Sequence, residues 1–180
     1  MSSTPFGRFL VVTSADILLD AFGRTQENVH AVVRGLTAGQ LAERIAPDAN
    51  SIAWLIWHLT RVQDDHIADA AGIEQAWIAK GWVDRFGLPF KPTEHGYGHS
   101  SAEVGQVRVA SHELLTGYYD EVHQQTLDFV GKLTDAGLAR VVDERWDPPV
   151  TLAVRLVSVI SDDLQHAGQA AFIRGVLSRR

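Results

Sequence analysis

The sequence has no cysteine among its 180 residues. That absence excludes disulfides, thiolate metal sites and a cysteine nucleophile, and it fits a reducing compartment. Positive charge is scarce as well: 16 lysines and arginines stand against 22 acidic residues, a formal net charge of −6. A nucleic-acid-binding chain carries a basic face, because phosphate contacts dominate its affinity. The densest basic spot here is the terminal Arg179-Arg180, so nucleic acid is not an expected partner. No run of about eighteen uncharged apolar residues exists, so no membrane span is expected. Met1 to Arg8 carries a single charge, and Phe9 to Val12 is too short for an export signal. These absences predict a cytoplasmic protein. Two motifs are missing too. Gly96-x-Gly98 is not followed by the Lys-Ser/Thr of a phosphate loop, and no Gly-x-Ser-x-Gly nucleophile elbow occurs.

What is present is an ordinary globular composition, 46% hydrophobic and 21% charged, in a length that suits one domain over 1–180. The apolar residues recur at helical spacing. Thr13 or Ser14 opens a first helix carrying Ile17, Leu18, Phe22, Val29, Val32 and Val33, which stops at Gly35. Ser51 opens a second, with Ile52, Leu55, Ile56, Leu59 and Val62, which ends at Gly72. A third spans about Ser111 to Leu133. A last one follows Thr151 to about Ser178, with Leu152, Leu156, Ile160, Leu164, Ala167, Ala171 and Ile173 along it. Residues 73–105 are punctuated by glycine and proline and interleaved with aromatics, a connection too long to be idle in a compact domain. Strand-like alternation and internal repeats are nearly absent. The prediction is an all-α four-helix bundle with a long aromatic- and Gly/Pro-rich loop between helices 2 and 3.

Two features of this pattern carry chemistry. Asp162 and His166 are four apart in the last helix, so their side chains share a face about 5–6 Å apart at Cβ. His58 lies inside the apolar stripe of the second helix, where an inward imidazole must find a partner. Bundle cores are where facing helices assemble metal sites. Two imidazoles and one carboxylate leave coordination positions open, as in a working site. Zinc suits that set, and nickel, manganese and ferrous iron are alternatives. On spacing alone, a hydrogen-bonded core histidine and a surface ion pair account for the same residues.

The segment Ser51-Ile52-Ala53-Trp54-Leu55-Ile56-Trp57-His58-Leu59, with Asp162-x-x-x-His166-Ala167-Gly168-Gln169, resembles the DinB/YfiT-like superfamily over nearly the whole chain. The resemblance implies a four-helix bundle that holds a metal with one residue of the second helix and two of the last, four apart. His58 and His166 match those positions. Asp162 stands where histidine is commoner, and a carboxylate there is similar to the mycothiol-dependent maleylpyruvate isomerase branch, which uses Glu. Asp163 is the rival ligand. The family includes S-transferases that use mycothiol or bacillithiol. The resemblance therefore implies a metal-dependent thiol transferase, with a low-molecular-weight thiol as co-substrate and a small electrophile held beneath the 73–105 loop. The isomerase branch carries a further C-terminal domain, and this chain ends at Arg180, which argues against isomerase chemistry. The alternatives are a non-catalytic metal- or ligand-binding stress-response protein acting as a homodimer, and a metal-dependent hydrolase. The hydrophobic content and five tryptophans, read as surface candidates, are compatible with a homodimer.

Other residues take lesser roles. His66 reads as a polar residue near the helix end, Asp64 and Asp65 as solvated acids or supports for a ligating histidine, and Gln169 as packing or support. Tyr97 and His99 sit in a glycine-rich turn at a possible entrance. His30, His95, His112 and His123 have no partner at ligand spacing and read as surface or packing residues.

Overall fold

The computed structural model describes residues 12–179, so the readings on Met1 to Arg8, on most of Phe9 to Val12 and on Arg180 fall outside it. Each long helix starts where a side chain can satisfy its free amides. α1 (Ser14–Val33) opens on a reciprocal pair: the Asp16 amide donates to Thr13 Oγ1, and the Thr13 amide donates to the Asp16 carboxylate. After the short α2 (Ala38–Ala42), Ser51 caps α3 (Ile52–Ala71) by accepting from the Trp54 amide. α3 ends at Gly72, whose φ of +69° is the left-handed turn that closes a helix.

Residues 73–105 are not a plain loop. They form three single-turn helices, α4 (Ala76–Ala79), α5 (Trp82–Phe86) and α6 (Ser101–Val104). Trp77, Trp82 and Phe86 are buried among them, so aromatic burial orders a segment rich in glycine and proline. α7 (His112–Val130) follows, then α8 (Asp135–Leu138). A two-stranded antiparallel hairpin, β1 (Val141–Asp143) with β2 (Val150–Thr151), precedes α9 (Leu152–Leu177). Strands this short leave no alternating pattern to read. α1 and α3 each pack against both α7 and α9, which closes a four-helix bundle. No helix among the described residues is long and apolar enough to cross a membrane.

Among the described residues the bundle has two apolar clusters. One gathers Val29, Val33, Ile52, Leu55, Ile56, Ala170 and Ile173; the other gathers Phe22, Ile67, Val130, Leu152, Leu156 and Val159. Between them runs a buried polar layer of Thr25, Gln63, His123, Thr126 and Asp163. Gln63 donates to Thr126 at 2.7 Å across this layer. The stripe expected on the last helix is partly misassigned, since Leu164 and Ala171 face outward, as does Ile17 on α1. Trp54, Trp57, Trp77 and Trp82 are buried; only Trp146 is exposed. The surface-tryptophan argument for a homodimer therefore fails.

A second polar group ties the 73–105 segment to α3. Arg61 is fully buried and donates to Gln75 Oε1, Tyr118 Oη and the Pro92 and Glu94 carbonyls. Asp64 accepts from the Ala76 and Trp77 amides and from Tyr118 Oη. Asp64 is thus neither a solvated acid nor a support for a ligand. It caps α4, and Arg61 lies 3.6 Å from its carboxylate.

Candidate metal centre

The three residues singled out in the sequence meet where α3 faces α9, at the level of the polar layer. One ligand atom each of His58, Asp162 and His166 lies within 4.8 Å of the others. The His58 and His166 rings are 4.9 Å apart at 72°, and His166 Nε2 is 3.6 Å from Asp162 Oδ1. His58 is buried, while the other two are half-buried. Asp162 Oδ2 is buried without a hydrogen-bond partner. A shielded carboxylate oxygen beside two imidazoles is costly unless a cation or donor answers it. The donor set therefore fits a divalent ion.

His58 is held by its surroundings. Its Nδ1 faces the His95 carbonyl, and since a carbonyl only accepts, Nδ1 carries the proton and Nε2 keeps its lone pair. Trp54 stacks on the ring at 4.6 Å and 18°, and is itself fixed by donating from Nε1 to His99 Nδ1 at 3.2 Å. Burial, reinforced by the nearby His166, lowers the His58 pKa against the opposing pull of the His95 carbonyl. A ring held neutral in this way is ready to ligate.

Gly96 makes this arrangement possible. Its φ is +97°, and a Cβ there would lie 2.8 Å from His58 Nδ1 and 3.0 Å from Trp57 Cζ3. Gly98, at φ +75°, has nothing within 4 Å. Both glycines need the left-handed region, but only Gly96 needs the space. Gly96→Ala is expected to weaken zinc binding by roughly 10–100-fold, the cost of disturbing a ligand's support. Gly98→Ala bears only backbone strain and keeps wild-type affinity. Titration against a chromophoric chelator checks the pair.

The other sequence candidates fall into place around this centre. Asp163 turns away from His58 into the bundle, fully buried with both oxygens unpartnered, and burial pushes its carboxyl well above the usual range. Gln169 Oε1 lies 3.4 Å from His166 Nδ1. His99 is not an entrance residue: it is packed between Trp57 and Phe90 and accepts from Trp54. Tyr97 is exposed and lines the mouth of the site with His95. Asp65 accepts from Gln75, outside the ligand set. His66 lies in the C-terminal part of α3 and accepts at Nδ1 from Arg155 at 2.7 Å. His30 pairs with Asp120, His112 lies by Glu113, and His123 is buried against Tyr119. Sequence reasoning missed Arg61, Trp54 and Gly96 as site supports. Arg61 alone left a signal, a charge at an inward position one turn after His58.

The family model for mycothiol-S-transferases matches residues 17–178. The chain belongs to the mycothiol-S-transferase family. Its match takes in both helices that supply the candidate ligands, and membership carries a thiol-related transferase function. A crystal structure of a conserved protein from Enterococcus faecalis superposes with a TM-score of 0.88 at 27% identity. The match covers 94% of this chain and 100% of that one. No curated protein matches this mycothiol-S-transferase family member.

Proposed function

We propose that the protein is a divalent-metal-dependent S-transferase that joins mycothiol to a small electrophile, with His58, Asp162 and His166 holding the ion. The observation that carries this reading is the convergence of three ligand atoms within 4.8 Å on facing helices of a mycothiol-S-transferase family member. Two imidazoles and a carboxylate leave room for an exogenous ligand, and zinc is the ion that set suits best. A zinc ion held there supplies Lewis acidity that favours the thiolate, the nucleophilic form of the co-substrate.

The chain's own residues set the rest. The His95 carbonyl and Trp54 fix His58, so this ligand is oriented before an ion binds. The Gly96 backbone packs against the Nδ1 side of His58, where a side chain would not fit. In the transfer, the sulfur forms a bond to the electrophilic carbon, the leaving group departs with its electron pair, and the thiol proton goes to solvent.

The test starts from protein purified without a metal-carrying tag. Elemental analysis is expected to find about one zinc per chain, the complement of one three-ligand site. Mycothiol transfer to a simple alkylating electrophile is expected to stop on chelation and return with zinc. Sub-stoichiometric metal after reconstitution would sink the metal reading. Bound metal with no turnover of mycothiol, bacillithiol or glutathione would favour a hydrolase or a non-catalytic binding protein.

A further inference from the structure

The metal centre does not stand alone in its groove. Along the antiparallel pair of α3 and α9 it lies between two dissimilar recesses. Toward Leu55, Gly168 and Phe172 the wall is apolar. In the other direction, the mouth at His58 and Asp162 shares Asp65 and His66 with a cavity of about 570 Å³. That volume lies in the range of small-molecule sites. The cavity is bounded by Asp65, Asp69, Glu74, Gln75, Arg145 and Arg155.

Its charges decide what it can hold. Both arginines are engaged by Asp143, with Arg145 Nη2 at 2.9 Å and Arg155 Nη2 at 3.1 Å. Arg155 also donates to His66 Nδ1, and since a guanidinium only donates, the His66 proton lies on Nε2 and the ring is neutral. Asp65, Asp69 and Glu74 line the cavity, and Asp143 pairs with both arginines from outside its lining, so four carboxylates stand against two guanidiniums, an excess of two negative charges. A carboxylate-bearing ligand is repelled there. An uncharged ligand with many hydroxyls is suited, because carboxylates accept from hydroxyls while His66 Nε2, Gln75 and the arginines donate to them. The exposed Trp146 borders the same two arginines.

We propose that this cavity binds the non-reacting, polyhydroxylated end of the thiol co-substrate, and that its carboxylates select an uncharged glycoside thiol over carboxylated thiols. The proposal rests on the transferase reading for the identity of the ligand. Its location and selectivity rest on the cavity's continuity with the metal centre and on its charge. Mycothiol is a cysteinyl glycoside without a carboxylate, whereas glutathione carries carboxylates at both ends.

The probe is desthiol mycothiol, in which hydrogen replaces the SH group, titrated calorimetrically into zinc-loaded full-length protein. Asp69 and Glu74 are exposed and outside the ligand set, so their variants are expected to fold and load zinc as wild type does. Wild type is expected to bind the probe, and Asp69→Lys with Glu74→Lys to weaken it at least tenfold. The same double variant is expected to bind S-methylglutathione at least fivefold more tightly than wild type. Glu74→Gln, which keeps a hydrogen-bond acceptor, is expected to lose less than Glu74→Lys. Equal probe binding in wild type and double variant overturns the proposal, and so does no binding to wild type. Probe binding without any thiol transfer sinks the transferase reading alone. Mycothiol transfer with a KM unchanged in the double variant sinks the subsite alone.

Discussion

His58→Ala is expected to abolish stoichiometric zinc binding while leaving a cooperatively folded bundle. The imidazole is the one buried member of the ligand set, and its orientation is fixed by the His95 carbonyl and the Trp54 stack. Its removal leaves a half-buried pair on α9, and two donors on one helix cannot enclose an ion. The loss exceeds the roughly 10–100-fold that follows from disturbing a supporting residue. The fold survives because the adjoining α3 residues Leu55 and Leu59 remain packed in the apolar cluster. A matched pair separates the two aspartates. Asp162→Ala is expected to lose zinc, since Asp162 shares the 4.8 Å cluster. Asp163→Asn is expected to retain it, since that side chain lies fully buried on the bundle side of α9. Chelator competition reads all three variants, with circular dichroism as the check on folding. Zinc retained by His58→Ala would remove the proposed ligand set.

Arg61→Ala is expected to lower unfolding stability by about 3–5 kcal/mol, the range for removing one partner of a buried ion pair. Small domains have roughly 5–15 kcal/mol in all, so this single change takes a large share. The reason is the number of groups left unanswered. Arg61 serves two backbone carbonyls at Pro92 and Glu94, the Gln75 amide oxygen and Tyr118 Oη, and it faces Asp64 in a site that water does not reach. Burial pushes the Asp64 carboxyl upward, while two amides, Tyr118 and Arg61 pull it back. Without Arg61 that balance shifts against the charged form. The effect also reaches the metal centre, because the Glu94 carbonyl adjoins the His95 carbonyl that holds His58. Arg61→Ala is therefore expected to weaken zinc binding and to expose residues 73–105 to proteolysis. Arg61→Lys restores the charge but not the fan of donors, so it recovers only part of the stability. Denaturant unfolding and limited proteolysis check both outcomes, and an Arg61→Ala loss below about 1 kcal/mol would refute the role given to this network.

Helical periodicity is local, and that is why so much of the fold was legible. Thr13, Ser51 and Thr151 cap their helices as their residue types require, and Gly72 ends α3 in the left-handed conformation. The spacing of Asp162 and His166 placed them on one face before any partner helix was known. Ile17, Leu164 and Ala171 were misread because a helix with apolar residues on several sides does not declare which side faces its neighbours. The hairpin before α9 went unseen because its strands are too short to show a period.

The sequence by itself determined the four long helices, the caps of three of them, the lack of a thiol of the chain's own and the three residue types able to share an ion. Only the tertiary structure decided that α3 and α9 bring those residues together, that Asp162 and not Asp163 joins them, and that the Gly96 backbone seats against His58. The physical reason is range. Caps and periodicity act within a few residues, whereas the contacts that orient His58 and fill the polar layer join segments tens of residues apart.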